Sequence, residues 1–156
     1  MEIKYFKVNE NAPDIDCDFS ENAGIDLYAA SRTPFYITHT GEYVAEVTAC
    51  YVFQLPPGVH GMVAGRSGNA FKRATIPFYG IIDSSYRGPV KVRLESQDKE
   101  VISTEIAEHQ AIAQLVLLNY SGADLTQCKF VQVNSMEELS QTTRGDSGFG
   151  STGNMV

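Results

Sequence analysis

Residues 42–53 read Glu42-Tyr-Val-Ala-Glu-Val-Thr-Ala-Cys-Tyr-Val-Phe. β-Branched and aromatic side chains dominate this stretch, as a pleated, half-buried surface prefers. Working outward, short apolar or alternating runs recur at Glu2–Val8, Glu42–Leu55, Gly61–Ala64, Val90–Leu94, Ile112–Leu118 and Lys129–Val133. Turn formers bound them, notably Pro-Pro-Gly at 56–58 and Tyr-Arg-Gly-Pro at 86–89. Many short strands with little helical periodicity predict an all-β chain, a jelly-roll-like β-barrel. One short helix is expected over Gly68–Arg73, after a turn-like Arg-Ser-Gly. No repeat or interdomain linker interrupts the pattern.

The bulk numbers agree with one soluble domain. The chain has 156 residues, 43% hydrophobic and 20% charged, enough to bury a core. No apolar stretch approaches a membrane span, and the start Met-Glu-Ile-Lys-Tyr-Phe lacks the character of a secretory signal, so a cytoplasmic protein with no membrane partner is expected. Cys17, Cys50 and Cys128 are scattered and not at metal-ligand spacing from His39, His60 or His109, which argues against a structural zinc. A net charge of −7 excludes a general nucleic-acid grip, which is built from phosphate neutralisation by a basic face. An anionic ligand would need positive charge concentrated locally.

Four segments carry chemistry. Ala23-Gly-Ile-Asp-Leu-Tyr-Ala-Ala sets Asp26 in an apolar run, where an acid must be paired, hydrogen-bonded or near a cation. Gly65-Arg-Ser-Gly-Asn offers Arg66, Ser67 and Gly68 as a small anion cradle. Gly80-Ile-Ile-Asp-Ser-Ser-Tyr-Arg-Gly-Pro-Val-Lys-Val reads as a β-hairpin bent at Asp83–Gly88. Asp83 there is either a turn former or a carboxylate able to orient and deprotonate a water, and Tyr86 either a core aromatic or a surface for a flat ligand. The last thirteen residues, Arg144-Gly-Asp-Ser-Gly-Phe-Gly-Ser-Thr-Gly-Asn-Met-Val, cannot bury enough surface to offset their ordering entropy and are expected to form a mobile arm, 144–156, on a domain of 1–143. Its arginine and hydroxyls suit a polyphosphate, and Phe149 between glycines suits stacking on a base. It is no Walker loop, since the lysine and following helix are missing.

In this order and spacing, Ala23–Ala30, Gly65–Gly68, Gly80–Gly88, Ile112-Ala-Gln-Leu and Arg144–Gly153 resemble the five motifs of the trimeric dUTPases. The resemblance spans residues 23–153, and its third and fifth motifs are the most specific. It implies a jelly-roll-like subunit in a homotrimer whose active sites are shared between chains, each arm closing over a neighbour's site. It also implies hydrolysis of dUTP to dUMP and pyrophosphate with Mg²⁺, which lowers dUTP and supplies dUMP. On matching positions, Asp83 would activate the water that attacks the α-phosphorus. Tyr86 would pack on the deoxyribose, leaving no room for a 2′-hydroxyl. Backbone groups of Gly80, Ile81, Ile82 and Asp83, and of the opposing strand near Lys91, would read uracil. Arg66, Ser67, Gly68 and Gln114 would hold the phosphates, and Asp26 would reach Mg²⁺ through a water. Arg144 would contact the γ-phosphate, Phe149 would stack over uracil, and Gly150, Ser151 and Thr152 would close over the phosphates. Carboxylates are feeble bases, so most acceleration must come from placing the water and stabilising charge.

The chain departs from the family pattern at Gly65, where proline is common, at Ile76-Pro-Phe-Tyr, which replaces smaller residues, and at His109-Gln-Ala, which replaces Gly-Asp-Arg. Two other readings stand beside the first. A dCTP deaminase would carry its glutamate ten positions past the shared aspartate, where this chain has Arg93, the nearest acid being Glu95. A regulatory protein on the same scaffold would engage a protein partner.

Overall fold

Alternation in the sequence becomes alternation in burial. In β1 (Glu2–Lys7) Ile3 and Tyr5 are buried between more exposed neighbours, and in β2 (Ile25–Arg32) Ile25, Leu27 and Ala29 are. These assignments come from a computed structural model that describes residues 1–32, 35–100 and 110–148. The remaining described strands are β3 (Tyr36–Ile37), β4 (Tyr43–Ala49), β5 (Tyr51–Gln54), β6 (Val59–Ala64), β7 (Thr75–Pro77), β8 (Ile81–Ile82), β9 (Lys91–Ser96), β10 (Ala111–Asn119) and β11 (Lys129–Val133). They form a three-stranded sheet, β11-β1-β5, and an eight-stranded sheet, β7-β9-β4-β2-β10-β6-β8, with β3 on β4. The expected all-β, jelly-roll-like architecture is what the chain adopts. Among the described residues no helix is long and apolar enough to cross a membrane.

The stretch 42–53 is two strands, not one. It breaks at Cys50, whose N–H donates to the Tyr28 carbonyl at 2.8 Å while its carbonyl accepts from Val8 N–H at 2.9 Å. One residue thus passes the chain from the large sheet to the small one. Both sides of the break are buried, and Tyr51, fully enclosed, packs among Tyr5, Tyr28 and Phe53 and donates its hydroxyl to Pro13 O at 2.8 Å. Burial keeps that phenol protonated far into the alkaline range. Leu27, Val47, Val63, Ile112 and Leu115 complete the fully buried centre.

The one described α-helix, α1, spans Ser67–Arg73, a residue earlier than expected. It is anchored by Asn69, a buried side chain whose amide donates to the carbonyls of Ala111 and Ile112 at 3.0 Å each. That pins the helix start against β10. The expected hairpin at 80–92 is corrected. β8 pairs with β6, while β9 pairs with β4 and β7, so the two arms lie toward opposite ends of the large sheet's order. Each arm's apolar alternation is satisfied against the core rather than across a shared ladder. The return of the loop is inserted deeply: Val90 N–H donates to Tyr51 O and Val90 O accepts from Ala49 N–H.

Candidate active site

Two polar clusters emerge from this frame. The first grows from strand register. β10 lies between β2 and β6, with Gln114 opposite both Asp26 and Ala64. Arg66, the residue capping α1, therefore emerges beside Asp26 and forks onto it, Nε to Oδ1 at 2.9 Å and Nη2 to Oδ2 at 3.0 Å. The apolar-run acid is thus paired. Gln114 donates its amide to Gly65 O at 2.7 Å, tying the cradle loop to β10. A Cβ on Gly24 would stand 3.0 Å from Leu115 O and 3.1 Å from Gln114 Oε1, so only glycine lets the strands approach here. Ser67 and Gly68 are exposed beside this pair. Asp26, Arg66, Ser67 and Gln114 share the wall of a recess of about 340 Å³ with Asp16 and Cys17. Burial first, then the charges of Asp16, Asp18 and Asp26, push the Cys17 thiol up to about 11.

The second cluster surrounds the end of β8. Asp83 lies just past Ile82, and its two carboxylate oxygens face different partners. Arg144 Nη1 is paired with Oδ2, and His60 Nδ1 lies 3.8 Å from Oδ1. The Arg144 guanidinium also sits over the Tyr86 ring, 5.6 Å from its centroid. Tyr86 is only 5% exposed and donates its hydroxyl to Pro89 O at 3.1 Å. Burial, aided by Asp146 and opposed by Arg144, holds its phenol above the ordinary range. A Cβ on Gly88 would collide with that hydroxyl, which accounts for glycine after Tyr-Arg.

The tail is docked here as far as it is described. Thr142 Oγ1 donates to Ser85 O at 2.6 Å, Arg87 N–H donates to Gly145 O at 2.7 Å, and Arg87 Nε donates to Ser140 O at 3.0 Å. Phe149, Gly150, Ser151 and Thr152 lie outside the described residues. His60, Arg87 and Thr142 belong to this cluster although their local sequence gives no sign of it.

Gly80–Asp83 runs along β6, where Val63 N–H donates to Gly80 O at 2.9 Å, while Lys91 starts β9 beside β4. Phe78 N–H donates to Arg93 O at 2.7 Å, one step beyond the pairing of Pro77 with Leu94. Lys91 is exposed on β9, while Phe78, Tyr79 and Ile81 are exposed large apolar residues nearby in sequence. The recess holding Asp26, Arg66, Ser67 and Gln114 is lined by none of Asp83, Tyr86, Lys91 or Arg144. That recess gathers only the first group of expected residues.

Comparison with known proteins bears on this arrangement. The dUTPase family model matches residues 10–153. The deoxyuridine 5′-triphosphate nucleotidohydrolase of Candida albicans is 39% identical over 84% of this chain and 75% of its own length. That of Yarrowia lipolytica is 34% identical over 98% and 90%. In fold, the chain is similar to a Staphylococcus bacteriophage 80alpha dUTPase solved with dUpNHpp, at a TM-score of 0.60, 21% identity and coverage of 97% and 98%. A dUTPase from phage phi11 of S. aureus, described as coordinating a structural Mg(II) ion, gives 0.61, 18%, and coverage of 85% and 97%. With its model matched over nearly the whole length and its curated relatives covered over most of theirs, the chain belongs to the dUTPase family.

Proposed function

We propose that this chain hydrolyses dUTP to dUMP and pyrophosphate, with Asp83 aiming and activating the attacking water. The observation that carries the reading is the corner itself: a carboxylate held by an arginine from the tail above a buried tyrosine shelf. The water gives its proton to Asp83, its oxygen bonds to the α-phosphorus, and the bond to the bridging oxygen breaks as pyrophosphate leaves with the electron pair. Uracil enters between Gly80–Asp83 and Lys91, where main-chain groups meet its polar edge and the deoxyribose rests against Tyr86. Arg66, Ser67, Gly68 and Gln114 hold the phosphates.

Within one chain, Arg144 covers Oδ2 of Asp83. On binding, the guanidinium exchanges its carboxylate for the γ-phosphate, which frees Oδ2 for the water. The arm 144–156 then closes, with Phe149 stacked on uracil and Gly150, Ser151 and Thr152 over the phosphates. That the Asp26–Arg66 recess is lined by none of Asp83, Tyr86, Lys91 or Arg144 supports a homotrimer in which neighbouring chains complete each site.

Among the described residues no three or more His, Cys, Asp or Glu side chains cluster to hold a metal. Asp26 contributes one carboxylate, already forked by Arg66. That donor set fits an Mg²⁺ ion carried in on the triphosphate and met by Asp26 through water. When bound, Mg²⁺ supplies charge neutralisation along the phosphates. Cytoplasmic nucleotide pools are the expected setting. The deaminase reading loses ground because Glu95 is engaged by Arg93 at 2.7 Å and shares a separate recess with Glu42 and Phe78.

Pyrophosphate release from dUTP, dTTP, UTP and dCTP, with and without Mg²⁺, tests the reading. Turnover is expected with dUTP and Mg²⁺, and Asp83→Asn should lower kcat by about 10²–10⁴-fold while nucleotide binding persists. Ammonia release from dCTP, or native turnover by Asp83→Asn, would overturn it.

A further inference from the structure

The register of β6 with β8 runs Met62 opposite Ile81 and Gly61 opposite Ile82. One more step of the same antiparallel count sets His60 opposite Asp83, and directly opposed side chains are the ones that meet. They do meet here: His60 Nδ1 is 3.8 Å from Asp83 Oδ1. That nitrogen is buried and makes no hydrogen bond among the described residues, a costly state for a ring nitrogen. Tyr120 flanks the imidazole, ring centroids 6.1 Å apart, and Leu118 pairs with His60 on the other edge of the strand. His60 is therefore fixed on a strand paired on both sides, with β10 and with β8. Arg144, on the other oxygen, arrives from the tail. The carboxylate is divided between a partner on a strand and a partner on the tail.

We propose that His60 is a positioning residue for the water-activating carboxylate. With its proton on Nδ1 it holds Asp83 Oδ1, so that Oδ2 points at the water once Arg144 has transferred to substrate. A closure of about 1 Å brings the pair from its present separation to hydrogen-bond distance. Carboxylate torsions are broad and two-fold, so an unheld Asp83 would swing between orientations after Arg144 departs. Loss of the hold would spoil the aim of the water rather than the binding of nucleotide. This inference rests on the reading of Asp83 as general base.

The test uses the full chain with dUTP and Mg²⁺ and follows pyrophosphate release. His60→Phe should lower kcat about tenfold with KM unchanged. His60→Asn, which places an amide N–H where Nδ1 stood, should restore most of that loss. In an Asp83→Asn background, His60→Phe should have no further effect on the residual rate, since the carboxylate it positions is gone. Should His60→Phe fail to fold, His60→Gln takes its place: its amide reaches the other ring nitrogen's position and should leave kcat low where Asn restores it. Native kcat in His60→Phe, equal losses in Asn and Gln, or a full additive cost in the double variant would overturn the proposal. If Asp83→Asn is inactive and His60→Phe is native, the positioning role alone falls. If Asp83→Asn keeps native turnover, the base assignment falls as well.

Discussion

Among the described residues two aspartate–arginine pairs differ chiefly in how their partners are tethered. Asp26 sits inside β2 and Arg66 caps α1, and two of the guanidinium nitrogens fork onto both carboxylate oxygens. Asp83 is also placed by a strand, but Arg144 comes from the tail, commits Nη1 to one oxygen and spends Nε on Ser147 O at 2.9 Å. Both pairs are partly exposed, and pairs of that kind contribute only about 0–1 kcal/mol to stability. Neither holds the fold together. Under the proposed function, the fork between fixed elements serves as a preorganised wall for an anion, and the contact from the tail as an exchangeable cover for a base.

Deleting residues 144–156 removes the exchangeable partner outright and should have the largest effect in this comparison. kcat/KM for dUTP is expected to drop about 10²–10³-fold, as when a transition-state donor is lost, while the assembly sediments at about three times the chain mass. A fully active truncated protein would make the two pairs equivalent. Arg66→Gln attacks the fixed pair. A charge-assisted contact worth about 1.5–3 kcal/mol is lost, so KM should rise about tenfold or more with the melting temperature little changed. A collapse of stability instead would show that the wall is structural. The smallest effect is read by Cys17 in the same recess as Asp26. Its thiolate is disfavoured up to about 11, so at pH 8 alkylation should run far slower than for a free thiol and accelerate only as pH climbs toward that value. Truncation of the tail should leave this rate alone, while Asp26→Asn, which removes one of the charges that raise the thiol, should speed it, which separates the two regions.

Much of the fold was legible because burial repeats every second residue. Lys129–Val133 was bounded correctly, and Glu2–Val8 and Ile112–Leu118 within a residue at each end. The break at Cys50 was not legible, because the stretch stays apolar across it while its hydrogen bonds change sheets. The supposed hairpin failed for a related reason: alternation tells which face is buried, not which strand lies alongside. In the site, the residue types at Asp26, Arg66, Asp83 and Arg144 stood out, but their pairing, across 40 and 61 positions, did not. His60 was invisible because its place depends on a register that only the folded sheet defines.

The parallel alignment of β1 with β11 carries a consequence for the opposite end of the chain. β11 is an edge strand whose sheet neighbour is β1, matched from Glu2 with Lys129 to Phe6 with Val133. Just beyond it, Leu139 is sunk against Val52 and Val133, and Ser140 N–H donates to Gln54 Oε1. The first six or seven amino acids are thus the mooring post for the segment that delivers Arg144. If Arg144 acts as proposed, trimming or fusing bulk onto that end would slacken the rope, and the damage would surface as a catalytic defect.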